Sequence, residues 1–291
     1  MQKTPTQWQN FLILGLVSLV WGSSFILIKK GVAVYSPLQI ACLRIILSSL
    51  VFLPFAWKQL STLKRKDLAP ILWVGWIGSA IPAFLFPLAQ THTDSAVASM
   101  LNTFVPLNVF ILGLLFFGVK FKWNKLFGVL LGLSGVFFLL FNFGSGQSMN
   151  FNAYALFILL GGICYATSVN TVKTYAQHIH PLTLTLAAFL SAMPIALILL
   201  LTTDFPHRLS NVDGGGMAFF YIFLLAALGT AMANVIFFHL TQRTNALFAS
   251  SVTYLIPIVA LFWGVLDGEI IGWNHLVGLS LALCGVYMTS R

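Results

Sequence analysis

One feature limits this chain before any other: it is built from apolar runs, each close to the length a helix needs to cross a bilayer. The runs lie at about residues 11–30, 37–57, 69–90, 95–117, 126–143, 153–173, 181–202, 217–239, 246–266 and 275–290. A helix crosses the hydrocarbon core in about 20 residues. Lipid offers no partner to an open backbone, so segments of this length must close their hydrogen bonds internally as helices. The chain is 59% hydrophobic and only 7% charged, against about 25% charged residues in a soluble domain. It cannot clothe a water-facing surface. The expected fold is all-α and integral to the membrane, with ten transmembrane helices.

Charge orients them. The net charge of +9 would suit nucleic acid only with a basic stripe or an aromatic RNA-binding motif, and the basic residues instead fall in short clusters between apolar runs. No nucleic-acid partner is expected. With the N-terminus inside, the inner segments hold Lys3, Lys58, Lys64, Arg65, Lys66, Lys120, Lys122, Lys125, Lys173, Arg243 and Arg291, eleven of the fifteen basic residues. By the positive-inside rule, both termini are cytoplasmic and the protein is a multi-pass resident of the cytoplasmic (inner) membrane. The first run lacks a small-residue cleavage site after it and reads as a retained span. Cys42, Cys164 and Cys284 lie within apolar runs and read as buried, unpaired thiols.

The chain also repeats itself. Trp21, Ser24, Lys29 and Pro37 align with Tyr165, Ser168, Lys173 and Pro181 at an offset of 144 residues. Gly78, Ser99 and Pro106 align with Gly229, Ser250 and Pro257 at an offset of 151. Later, Trp123, Gly128 and Gly135 match Trp273, Gly278 and Gly285. Ordered matches at a near-constant offset indicate duplication, into residues 1–146 and 147–291. Each copy holds five spans, an odd number, so the second enters the membrane from the opposite side. Charge agrees: the loop after the second span is basic in the first copy (Lys58–Lys66) but carries Asp204 and Asp213 in the second. Two inverted five-helix repeats are a recurring transporter design, with the substrate site near the midplane between them.

Over nearly its whole length the sequence resembles the drug/metabolite transporter superfamily, and within it the EamA-type permeases. The resemblance rests on Trp21-Gly22, on Pro37 followed by Arg44, and on the mid-span prolines Pro106 and Pro257. Gly268-Glu269 followed by Trp273 and the Gly278–Gly285 segment add to it. The family usually has a Gly-Glu pair in the first copy as well. Here Gly118-Val119-Lys120 stands there, so no role for that glutamate carries over. The resemblance implies export or exchange of small metabolites, often amino acids.

The residues point to where such a solute would sit. Trp21 and Ser24 are three apart and share a helical face, an aromatic with a polar tip beside a hydroxyl. The matching face of the second copy offers Tyr165 and Ser168, with Asn170 nearby. Pro106 and Pro257 remove a helix hydrogen bond and free the carbonyls four residues earlier, those of Asn102 and Thr253. The two prolines are expected to kink their spans at mid-membrane. Asn102, Thr253 and Tyr254 are expected to line the shared site, with Asn234 a further candidate. Arg44 is the one full charge well inside a span. Such a charge faces a cavity, a partner or the nearby interface, and Arg44 is a candidate for attracting a substrate carboxylate. Lys29, Lys30 and Lys173 read as interfacial anchors. Small residues four apart at Gly128/Gly132 and Gly278/Ala282 suit close helix contact, expected to join the fifth span to the tenth in a monomer, with dimerisation the alternative.

Several chemistries lack their residues. There is no P-loop motif, so no ATPase activity within the chain and no ATPase subunit is implied. The histidines show no metal-ligand spacing, and no cofactor is expected. Catalysis would need a nucleophile–base pair at membrane depth, which the serines at Ser23, Ser24 and Ser168 do not have. An intramembrane enzyme is thus disfavoured. A secondary carrier for small amphipathic solutes, exporter or exchanger, is the principal reading. Its partners are a small-molecule substrate and membrane lipid, and a lipid-head-group flippase on the same fold is the alternative.

Overall fold

A computed structural model describes residues 7–93, 95–140, 153–266 and 273–290. The junction between the two expected copies, and Asp94, Asp267, Gly268 and Glu269, lie outside the described residues. Every regular element among those described is helical. Seven stretches are long and apolar enough to cross a membrane: Gln7–Val32, Pro37–Pro54, Arg65–Gln90, Ala98–Phe116, Ala155–Tyr175, Pro181–Leu201 and Gly215–Arg243. The first two hold α1 (Gln7–Val32) and α2 (Pro37–Ala56). The third comprises α3 (Leu68–Leu72) and α4 (Ile81–Gln90), and the fourth α5 (Ser95–Asn102) and α6 (Val105–Phe116). After the apolar α7 (Trp123–Leu140) come α8 (Ala155–Tyr175), α9 (Pro181–Leu201) and the short α10 (Phe205–Asn211). The last long stretch holds α11 (Gly215–Leu224) and α12 (Ala233–Arg243). The apolar α13 (Ala246–Ser250), α14 (Val252–Leu266) and α15 (Trp273–Ser290) follow. Leu12, Leu19, Ile26, Leu115 and Ile198 turn outward, a surface that lipid covers at no hydrophobic cost. This is an integral membrane protein.

Local sequence sets the helix boundaries. Pro37 and Pro181 each open a helix, where a missing N–H leaves no bond unmade. Ser36 caps α2 reciprocally: its Oγ accepts from the Gln39 N–H at 3.3 Å and its own N–H donates to Gln39 Oε1 at 2.9 Å. Two stretches depart from α geometry in the same way. Trp73–Ala80, between α3 and α4, and Leu225–Met232, between α11 and α12, wind as π-helix, a wider turn often found at functional sites. Ser79 Oγ donates to the Val74 carbonyl and Thr230 Oγ1 to the Leu225 carbonyl, both at 3.0 Å and both five residues back.

The prolines act differently from expectation. Pro106 does not bend a continuous helix: α5 stops at Asn102, the chain turns through Thr103 and Phe104, and Pro106 is the second residue of α6. Pro257 does lie inside α14, but the break in that rod comes earlier, at Ser251.

Glycines let the rods close up. A Cβ at Gly135 would lie 2.7 Å from the Gly278 carbonyl, and one at Gly285 would lie 2.5 Å from the Gly132 nitrogen. Backbone therefore meets backbone where α7 runs along α15. Lys173 is more than an interfacial anchor, because its Nζ donates to the Gln242 carbonyl at 3.0 Å and ties the end of α8 to the end of α12. Cys42 and Cys164 are buried, as read from sequence, but Cys284 is exposed on α15.

Candidate functional site

The middle of the bundle holds a cavity of about 90 Å³. A water takes up roughly 30 Å³ in the liquid, so the space admits about three waters. Its walls come from nearly every central rod: α1, α2, α4, α5, α6, α8, α12, α13, α14 and both π-helical turns.

Seven of the residues chosen from sequence meet there: Trp21, Ser24, Arg44, Asn102, Tyr165, Asn234 and Thr253. Trp21 packs its ring on Phe237 at 4.9 Å and donates from Nε1 to the Gly229 carbonyl at 2.9 Å. It thereby fixes α1 against the second π-helical turn. Ser24 lies over the same glycine, whose missing side chain makes the approach possible: a Cβ at Gly229 would stand 2.5 Å from Ser24 Oγ. The arrangement recurs on the other side of the cavity, where a Cβ at Gly78 would stand 2.2 Å from Ser168 Oγ. Tyr165, at the position matching Trp21, packs on Phe86 at 5.6 Å.

Arg44 does not reach for the interface. It is 8% exposed, and its Nε and Nη2 both donate to Thr230 Oγ1, at 3.3 and 3.1 Å. The phenol of Tyr165 lies beside the guanidinium. Neither neighbour carries a full negative charge at neutral pH, and no carboxylate lines the cavity among the described residues. Asn102 is 5% exposed, and its Oδ1 has no hydrogen-bond partner. It ends α5 at the break, and Pro106 has no N–H to give its carbonyl.

Asn170 and Tyr254 do not line the cavity. Asn170 is two residues beyond Ser168, about 200° around the helix. Its Nδ2 donates to the Val109 carbonyl at 3.0 Å and to the Ala166 carbonyl at 3.1 Å, tying α8 to α6. Tyr254, about 100° round from Thr253, turns to α7. It packs over Gly132, and its hydroxyl donates to the Val129 carbonyl at 3.1 Å. Both are structural ties. Pro106 and Pro257 are likewise absent from the cavity wall.

The sequence reading passed over Ser79, Thr230, Phe86 and Phe237, all of which line the cavity. A signal was available for the first two. Gly78-Ser79 and Gly229-Thr230 stand at the offset of 151 residues, a small residue and a hydroxyl repeated together.

Among the described residues, several hydroxyls on the cavity wall are turned to backbone carbonyls. Ser24 Oγ donates to the Val20 carbonyl at 2.9 Å and Ser250 Oγ to the Leu247 carbonyl at 2.8 Å. Among the described residues, neither histidine nor carboxylate lines the cavity to activate a hydroxyl.

Known proteins match the chain along its length. A profile described as the EamA-like transporter family matches residues 8–141 and again 152–291. An uncharacterized transporter of Archaeoglobus fulgidus is 24% identical over 97% of this chain and 99% of its own. The uncharacterized inner membrane transporter YedA of Escherichia coli K12 is 24% identical over 94% of this chain and 87% of its own. A probable amino-acid metabolite efflux pump of the same organism is 24% identical, with 94% and 92% covered. A crystal structure superposes with a TM-score of 0.69 at 16% identity, covering 98% of this chain and 97% of that one. That last likeness concerns the fold.

Proposed function

This chain belongs to the EamA-like transporter family, and on that footing we propose that it is a secondary carrier of small metabolites, amino acids or related amphipathic solutes. It works in the cytoplasmic membrane by alternating access, as an exporter or exchanger. In this reading ten spans form two inverted five-helix repeats, residues 1–146 and 147–291, with both termini cytoplasmic.

The observation that carries the reading is the doubled joint at the cavity. Ser24 of α1 lies on Gly229 of the later π-helical turn, and Ser168 of α8 lies on Gly78 of the earlier one. The serines match at an offset of 144 residues and the glycines at 151. In this reading each half sets its first helix against the third rod of the other half, with the binding space between them. Two equivalent joints around one site suit the rocking of one half against the other by which such repeats alternate access. A solute bound between them favours the state in which both halves touch it. The cavity's size suits a free metabolite better than a lipid head group with its glycerol. The name of the efflux-pump relative adds support for amino acids.

Proteoliposomes holding purified protein and unlabelled amino acids should accumulate labelled amino acid by counterflow. Substitution of Trp21, Asn102 or Thr253 should weaken uptake. Vesicles that move no member of a broad metabolite panel would remove the basis of the proposal.

A further inference from the structure

The transport reading leaves the chemistry of recognition open, and two buried polar groups in the cavity narrow it. The first is Arg44. A charge inside a membrane protein is costly unless something compensates it. Here its contacts are a threonine hydroxyl and a neighbouring phenol. A guanidinium carries five N–H donors in a planar fork; two go to the one oxygen of Thr230 and the Tyr165 phenol takes a further hydrogen bond, which leaves donors over for a ligand. Thr230 is itself fixed, since it donates to the Leu225 carbonyl at 3.0 Å across the π-helical turn. The fork is therefore held in place on the cavity wall without a counter-charge among the described residues. The second group is Asn102, whose Oδ1 is buried without a partner on the same wall. An amide oxygen there accepts a hydrogen bond and offers nothing to an anion.

We propose that Arg44 and Asn102 are the two poles of the substrate seat, so that the carrier selects small molecules by a free carboxylate at Arg44 and a hydrogen-bond donor, such as an ammonium, at Asn102. The inference rests on the transport reading of this cavity. Among the described residues, Arg44 is the single cation on the wall. One positive charge matches one carboxylate, whereas a phosphate monoester brings about two negative charges at neutral pH. Aromatic faces at Trp21 and Phe237 on one side, and Phe86 and Tyr165 on the other, leave the rest of the solute an apolar enclosure. Selection therefore acts on the charged ends and tolerates variation of the apolar part. The same skeleton with its carboxylate amidated or removed is rejected.

The test needs no variant to begin. Binding of each of the twenty common amino acids, its amide and its decarboxylated amine is measured by ligand-induced thermal shift on purified wild-type protein. Counterflow of a broad metabolite panel is followed in parallel. At least one acid should bind about tenfold to a hundredfold more tightly than its amide and amine, the range for one charged hydrogen-bonded contact. In Arg44→Gln that ratio should collapse while the protein stays folded, and Arg44→Lys should restore part of it. An arginine that only braced the helices would lower stability and weaken acid and amide alike. In Asn102→Leu, the preference for an amino acid over its desamino analogue should disappear. Should Arg44 variants fail to fold, the wild-type ratios and Asn102→Leu still decide. Amides or amines binding as tightly as the acids, or no acid binding at all, would overturn the proposal. If other solutes still exchange, the transport reading survives without it. If nothing in the panel moves, the transport reading falls.

Discussion

Adding one methyl group at either cavity joint should reveal how closely the two halves are fitted. In Gly229→Ala the new Cβ would stand 2.5 Å from Ser24 Oγ but 3.5 Å from Ser24 Cβ. The hard clash is with the hydroxyl, while Leu225 Cδ1 at 3.2 Å has to give only slightly; relieving the first by rotation sacrifices the bond from Ser24 to the Val20 carbonyl. In Gly78→Ala the Cβ would stand 2.2 Å from Ser168 Oγ and 2.4 Å from Ser168 Cβ, so rotating the serine brings no relief. Overfilling a packed interior costs about 1–3 kcal/mol, with Gly78→Ala expected at the upper end and Gly229→Ala at the lower. For a chain of this size about 2–4 °C of melting temperature is lost per kcal/mol, a shift that intrinsic tryptophan fluorescence in detergent resolves. The second substitution separates the two joints. Ser24→Ala should rescue most of Gly229→Ala, because the hydroxyl is the chief obstruction and the Leu225 methyl at 3.2 Å has to yield only slightly. Ser168→Ala should leave Gly78→Ala largely unrescued, and Ser168→Gly should rescue it. Equal rescue by alanine at both joints, or glycine variants that melt with the wild type, would refute the reasoning.

Two further outcomes follow from the same geometry. Tyr254→Phe should lower stability by about 0.5–1.5 kcal/mol through loss of the bond to the Val129 carbonyl and leave solute affinity unchanged, since Tyr254 is off the cavity wall. A weakened affinity would put Tyr254 back in the site. Outside the spans, Arg208 hydrogen-bonds the Asp204 carboxylate at 2.8 Å and, with Gln39, holds its pKa below the ordinary 3.8. A lowered carboxyl pKa contributes stability above the unfolded value, and that contribution is lost as pH falls through the folded value. The wild type should therefore lose part of its stability below about pH 4, and melting curves of Asp204→Asn should lack that component; identical acid limbs would contradict it.

Much of this was legible because lipid leaves a sequence few options. Runs of about 20 apolar residues must be helices, and the offset between Trp21 and Tyr165 or Gly78 and Gly229 is visible in letters alone. Face reasoning placed Trp21 and Ser24 together correctly. Asn170 and Tyr254 were chosen for nearness in sequence to Ser168 and Thr253, but one or two residues turn a side chain about 100–200° away and sequence does not reveal which neighbour waits there. Pro106 showed that α geometry would be disturbed but not that the chain would stop at Asn102 and start again. The π-helical turns were invisible, since a wider turn leaves a mostly apolar stretch looking the same in sequence. Ser79 and Thr230 were missed although Gly78-Ser79 and Gly229-Thr230 repeat at the offset of 151 residues, and with Thr230 went the acceptor that holds Arg44. Cys284 was misjudged because an apolar setting does not distinguish protein interior from lipid.

The most direct measurement is labelling of Thr253→Cys in a variant lacking Cys42, Cys164 and Cys284. Thr253 is buried on the cavity wall, so a polar thiol reagent reaches it only when the cavity opens to water. Reaction in vesicles, slowed several-fold by a saturating transported amino acid, is the result expected of a solute-binding space between moving halves. A cysteine that stays unreactive from both faces, or reacts at one rate with and without solute, would contradict it.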